Sequence, residues 1–320
     1  MSCNHALVAI GALILPSGPA AAADAYPAKP IRIVTSPAGG AADFVARLIA
    51  REIAAPLGQP IVIENRGGDI AIAAGIVAKA APDGHTLLLH GIAFLVTPLL
   101  RANAPYDPLR DFAPITMVAS SPNVVVVHPS VAAASIKELI ALARARPAEL
   151  NYASAGTGSS AHLAAELFKS MAAVTIAHVP YKGTAPALVD LVGGQVQLMF
   201  VIGGVATPHI KSGRLRALAV TSAQPSVLFP ELPTVAASGL PGYEMGAHNS
   251  VFAPAGTPST IVARLNREIA RALTLADIKE RFFNAGAETV STTPEQFRLV
   301  VKAELAKFGK LIKDAGIHEK

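Results

Sequence analysis

Cysteine is nearly missing from this chain: Cys3 is the only one in 320 residues. A single thiol can form no intramolecular disulfide, and no metal-ligand neighbours surround it. Tryptophan is absent, and charged residues make up only 15% of the chain. Lys and Arg are scattered without a basic run, which argues against a nucleic-acid-binding surface. Long apolar runs are lacking too. The longest candidate beyond the N-terminal segment, 87–100, is interrupted by His90, Gly91 and Pro98. It falls short of the ~18 apolar residues a membrane span needs.

What is present is core-forming material. Hydrophobic residues reach 52%, which excludes disorder and supports a sizeable core. The formal charge of +5 fits either colloidal solubility or attraction of anionic solutes. Ala6–Leu15 is an apolar stretch of signal-peptide length, followed by Ala21-Ala22-Ala23. Its n-region holds His5 but no Lys or Arg. Residues 1–25 are therefore expected to be a cleaved signal peptide, and the mature chain to be exported.

The chain is organised around one stretch near its start. Ile31-Arg-Ile-Val-Thr35 reads as a buried strand, Ser36-Pro37-Ala38-Gly39-Gly40 breaks it, and apolar residues then recur at helical spacing from Phe44 to Leu57. A glycine turn at a helix N-terminus bares backbone N–H groups that suit a carboxylate or phosphate. The pattern returns about 115 residues later. Leu150–Ser154 is a strand, Ala155–Ser160 reads A-G-T-G-S-S, and a helix through Leu163 and Leu167 follows.

Strands alternating with helices indicate α/β architecture with parallel sheets. Strand candidates at Ile115–Ala119 and Asn123–Val127 bracket a first crossing near Ser120–Asn123, and Ser250–Ala253 reads as the return. The expected fold is a two-lobe α/β protein with two crossover strands. Residues 26–122 plus 251–320 form a discontinuous first lobe, and 123–250 the second. Two connections permit hinge closure around a ligand.

The candidate ligand-binding residues follow from the turns. Ser36, Pro37, Ala38, Gly39, Gly40 and Ala41 form the first, with N–H groups expected from Gly39, Gly40 and Ala41. Ser154, Gly156, Thr157, Gly158, Ser159 and Ser160 form the second. Asp43, in the first turn of its helix, either serves the helix dipole or orients a water or ligand hydroxyl. His162 either caps its helix or donates to the ligand. His90 and Gly91 end a strand at its carboxyl edge, where α/β sheets bind ligands. Gly183 and Thr184 open another helix.

These residues sit within motifs that resemble the substrate-binding proteins of tripartite tricarboxylate transporters, the Bug family. The matching segments include Pro37-Ala-Gly-Gly40 with Asp43, Glu64-Asn-Arg66, Ala80-Ala-Pro-Asp-Gly84, Leu150-Asn-Tyr-Ala-Ser-Ala-Gly156, His178-Val-Pro-Tyr-Lys-Gly183 and Ala253-Pro-Ala-Gly-Thr-Pro258. The resemblance implies a periplasmic location, a Venus-flytrap fold of the periplasmic-binding-protein type II kind, and capture of a small carboxylate: a dicarboxylate, tricarboxylate, aromatic acid or acidic amino acid. It implies delivery to a large and a small membrane subunit, a monomeric chain, no cofactor and no catalysis. Three departures stand out. The turn after Arg66 is shorter, Val201 replaces an acid, and His248-Asn249 replaces Trp-Phe. The last two add Val201, His248 and Asn249 to the candidate site.

Other motifs in the chain are weaker. Tyr152-Ala-Ser154-Ala-Gly156 approaches a nucleophile elbow but lacks its first glycine. Gly156-Thr-Gly-Ser-Ser-Ala161 is a lone dinucleotide-like run, and His162 with Glu166 is a metal pair without a third ligand. A carboxylate-binding protein that feeds a sensor kinase is the alternative with the same cleft.

Overall fold

The computed structural model describes residues 26–317; the expected signal segment 1–25 lies outside them. Three parallel strands open the first lobe: β1 (Ile31–Thr35) lies between β2 (Ile61–Asn65) and β3 (Thr86–Gly91). Helices α1 (Ala41–Leu57) and α2 (Ile70–Ala78) make the crossovers, and α3 (Ala93–Leu100) follows β3. Helix α1 buries Val45, Ile49 and Ile53 and stops at Gly58, which takes the left-handed conformation and caps it.

The second lobe is built on β5 (Asn151–Ser154), parallel to both β6 (Ala177–Pro180) and β7 (Leu198–Ile202). Its helices include α4 (Ile136–Ala145), capped by Ser135, then α5 (Ser160–Ala172), α6 (Thr184–Val192) and α7 (Gly203–Lys211). Strand β8 (Arg216–Val220) closes the set.

Two strands join the lobes. The two strand candidates on either side of Ser120–Pro122 are one 16-residue strand, β4 (Phe112–Val127). Its first part pairs antiparallel with β9 (Gly246–Pro254), up to Pro122 opposite Gly246. Its last part, Asn123–Val127, pairs with β7, and Val124–Val127 also pairs with β8. Pro122 falls where the strand changes partners, and there a missing N–H is tolerated.

Helices α8 (Ser259–Thr274) and α9 (Ala276–Asn284) return to the first lobe, strand β10 (Glu288–Thr289) pairs with β4, and α10 (Pro294–Asp314) ends the described chain. Thr293 and Gln296 form the capping box of α10. Helix α10 lies in the segment expected for the first lobe, and its packing reaches the second lobe as well. Helix α10 has 21 residues, so it is about 31 Å long. Phe297 and Val301 pack with Phe112 and Phe252, whereas Phe308, Leu311 and Ile312 pack with second-lobe residues such as Leu163 and Phe168. Helix α3 bridges likewise, with Phe94 and Leu95 on the first-lobe side and Val96 and Leu100 on the second. Among the described residues no helix is long and apolar enough to cross a membrane.

Candidate functional site

Strands β1 and β5 both end in glycine turns that lead into helices, and the two turns line one cleft of about 390 Å³. Ser36 and Pro37 come from the first turn and Thr157, Gly158 and Ser159 from the second. His90, Gly68, Asp69 and Ile70 line it from the first lobe. Helix α3 supplies Ala93, Val96, Thr97, Leu100 and, just past its end, Arg101. That spacing is one helical face.

The first turn is braced by a carboxylate. Gly39, at φ +80°, donates its N–H to Asp43 Oδ2 at 2.9 Å. Asp43 Oδ1 accepts from Asn65 Nδ2 at 2.7 Å and lies 2.9 Å from Arg47 Nε. Asn65 Nδ2 also donates to the Ser36 carbonyl at 2.8 Å. Burial would raise the Asp43 carboxyl, but the bonds from Arg47, Asn65 and Gly39 hold it below its ordinary range. Asp43 is therefore a buried brace of the turn. The Gly39 and Gly40 amides are also spent within the turn, the latter on the Pro37 carbonyl at 3.2 Å. Helix α1 has no side-chain cap, so its first-turn amides from Ala41 onward lack an intrahelical acceptor. Ala38 is exposed on the turn's outer side.

The second turn is braced by neutral groups. Gly158, at φ +78°, donates its N–H to His162 Nδ1 at 3.1 Å. Gly156 N donates to Ser154 Oγ at 3.2 Å, and Ser154 Oγ lies 2.7 Å from His178 Nε2. Ser159 Oγ caps α5 by accepting from His162 N at 3.3 Å. The amides of Ser160 and Ala161, in the first turn of α5, have no intrahelical acceptor. Gly183 N donates to the Ala155 carbonyl at 3.2 Å, which ties the uncapped start of α6, at Thr184, to the same turn.

His162 was expected to donate to the ligand or to cap its helix. It is buried, its Nδ1 is an acceptor, and its ring stacks on His178 at 4.2 Å. Burial, with His178 alongside, pushes its imidazole down to about 4. Behind the stack, Glu166 Oε1 accepts from the Tyr152 hydroxyl and from Lys169 Nζ. Glu166 and His162 are thus engaged separately, which removes the geometry of the metal pair.

Three more sequence candidates fall outside the cleft. Val201 is buried in β7 opposite Val124, so its side chain belongs to the second-lobe core. His248 is buried with Nε2 2.9 Å from Glu304 Oε2 on α10 and Nδ1 3.0 Å from Ser250 Oγ, so it serves the crossover strand. Asn249 pairs with Gly91 and with Ala119 in the interior of the sheet. His90 does reach the cleft, and burial pushes its imidazole down to about 4.

Sequence reading missed the α3 wall and the Gly68–Ile70 corner. The signals were present: positions 93, 96, 97, 100 and 101 share helical spacing, and Asp69 is an N-cap, its side chain accepting from Ala71 N. A larger groove of about 550 Å³ lies between α7 and the α9–β10 turn. There the start of α7 is closed off by close backbone packing: a Cβ on Gly204 would lie 2.7 Å from the Ala285 carbonyl oxygen.

The chain matches known proteins along nearly its whole length. The family described as "Tripartite tricarboxylate transporter family receptor" matches residues 45–317. BugT of Bordetella pertussis is 39% identical over 326 residues, covering 99% of each chain. An R. palustris protein solved with adipate is 38% identical at a TM-score of 0.79, covering 92% of this chain and 99% of that one. MatC from Rhodopseudomonas palustris, with bound malate, is 33% identical at a TM-score of 0.75, covering 90% and 100%. The chain therefore belongs to the tripartite tricarboxylate transporter receptor family, the family its sequence motifs resemble.

Proposed function

We propose that this chain is a periplasmic receptor that captures a small organic carboxylate between its lobes and hands it to the large and small membrane subunits of a tripartite transporter. The observation that carries the reading is the meeting of two glycine-bearing turns, one per lobe and each leading into a helix start, at a single cleft. The α1 and α5 N-termini each present partial positive charge and amide donors. A carboxylate reaches both sets only when the lobes close, so binding shifts the equilibrium toward the closed form. The part-exposed Ala93, beside the buried Val96 and Leu100, offers the ligand's hydrocarbon an apolar wall. Relatives solved with adipate and malate support the same ligand class. No bond in the ligand needs to break, so the cleft requires no nucleophile.

Thermal melts of the purified mature chain with adipate, malate and the matched neutral diamides test the reading. A ligand at a hundred times its Kd stabilises by about 2.7 kcal/mol. The acids are expected to raise Tm and the diamides to leave it unchanged. Equal shifts with acids and diamides, or stabilisation by sugars or amines alone, overturn it.

A further inference from the structure

The cleft is far larger than one carboxylate, and its polar groups are not confined to the two turns. Arg101 and Asp69 form an ion pair on its first-lobe wall. Their side chains are 36% and 31% exposed, so a solute in the cleft can reach both. Asp69 also caps α2 through its other carboxylate oxygen, which fixes the pair to two helices at once. Arg101 continues the face of α3 on which Ala93, Val96 and Leu100 are apolar and Thr97 is polar. A methylene chain laid along that face runs from apolar side chains to a guanidinium.

We propose that Arg101, held in place by Asp69, determines specificity by taking the second carboxylate of a dicarboxylate whose first is held at the glycine turns. This deepens the carboxylate reading above and rests on it. The guanidinium's planar fork suits bidentate capture of a carboxylate. Asp69 compensates the cation in the empty cleft and preorganises it, which lowers the ordering cost on binding. It also opposes an incoming anion, so the pair sets a threshold: a second acid must bind well enough to offset Asp69. A monocarboxylate forfeits that contact and gains nothing from Arg101.

Calorimetric titration with adipate and with hexanoate, its matched monoacid, separates the outcomes. Arg101→Gln is expected to weaken adipate roughly ten- to hundredfold and hexanoate less than about twofold. Asp69→Asn keeps the α2 cap and removes the competing anion, so adipate binding tightens about threefold or more. Arg101→Lys keeps the charge but not the fork, and falls between wild type and Arg101→Gln. If Arg101→Gln changes both acids equally, or neither, the assignment is overturned. If Asp69→Asn weakens adipate as much as Arg101→Gln does, the pair is a structural tie and the assignment is overturned too. Wild-type protein that binds neither acid overturns the carboxylate reading, whereas wild type that binds both acids with an indifferent Arg101→Gln overturns the role of Arg101 alone.

Discussion

The turn after β1 and the turn after β5 share a plan of strand end, glycines and helix start, yet they are held by opposite kinds of group. Behind the first stands an ionised carboxylate, Asp43, partly neutralised by Arg47. Behind the second stands a neutral imidazole, His162, stacked on a second one. An anion arriving at the first turn meets a fixed negative charge at close range, whereas the carboxylate nearest the second, Glu166, stands behind the imidazole stack and is paired with Lys169. The surroundings differ as well. A Cβ on Gly39 would meet nothing within 4 Å, whereas one on Gly158 would lie 2.6 Å from Leu100 Cδ1. The second turn is thus pressed against α3, while the first faces open space. The second is expected to carry the larger share of ligand affinity and to tolerate less change.

The sharpest break in that comparison comes from matched valines. Gly158→Val forces a β-branched residue into a left-handed conformation and into Leu100, and affinity for adipate is expected to fall roughly hundredfold. Gly39→Val, with the same backbone strain but free space, is expected to cost about tenfold or less. Titration calorimetry on the two variants decides it, and equal losses would erase the asymmetry.

Stability separates the braces next. Asp43→Ala leaves Gly39 N, Asn65 Nδ2 and Arg47 without their shared acceptor and is expected to destabilise the fold by about 2–3 kcal/mol in urea melts. A change below about 0.5 kcal/mol would mean that the first turn does not depend on its carboxylate.

Acid reads the second brace. Unfolded imidazoles take up protons below about 6.5, whereas folded His90 and His162 stay neutral down to about 4. The unfolded state then binds more protons, so stability falls as pH drops from about 6.5 to about 4. The depressed Asp43 carboxyl extends the loss to lower pH as it protonates. His162→Asn keeps an acceptor for Gly158 N but does not titrate. Melts across this window are expected to show a shallower slope than wild type; an unchanged slope would deny His162 its share. The smallest effect is expected from Ser159→Ala, which removes the α5 cap at about 1 kcal/mol, readable as a few degrees in Tm.

The two turns were legible because their signals are local. Glycines between a β-branched run and a helical repeat declare themselves within ten residues, and the Ser135 and Thr293 caps do the same. What stayed hidden depends on partners distant in the chain. Asp43 looked like a ligand group because its engagement by Asn65, 22 positions away, is tertiary. His248 read as a candidate site residue because Glu304, 56 positions on, cannot be paired with it by spacing. Helix α3 was lost inside the largely apolar stretch 87–100, since a helix buried on two sides shows no polar face to mark its period. The ion pair of Arg101 with Asp69 spans 32 positions and left no trace in either segment alone.

A crystal structure of the mature chain with adipate tests the central claim most directly. The account predicts one carboxylate within about 3.2 Å of amide donors from both helix starts, α1 at Ala41 and α5 at Ser160, with the lobes closed over it. A carboxylate held by one turn alone, or bound in the groove beside α7, would contradict it.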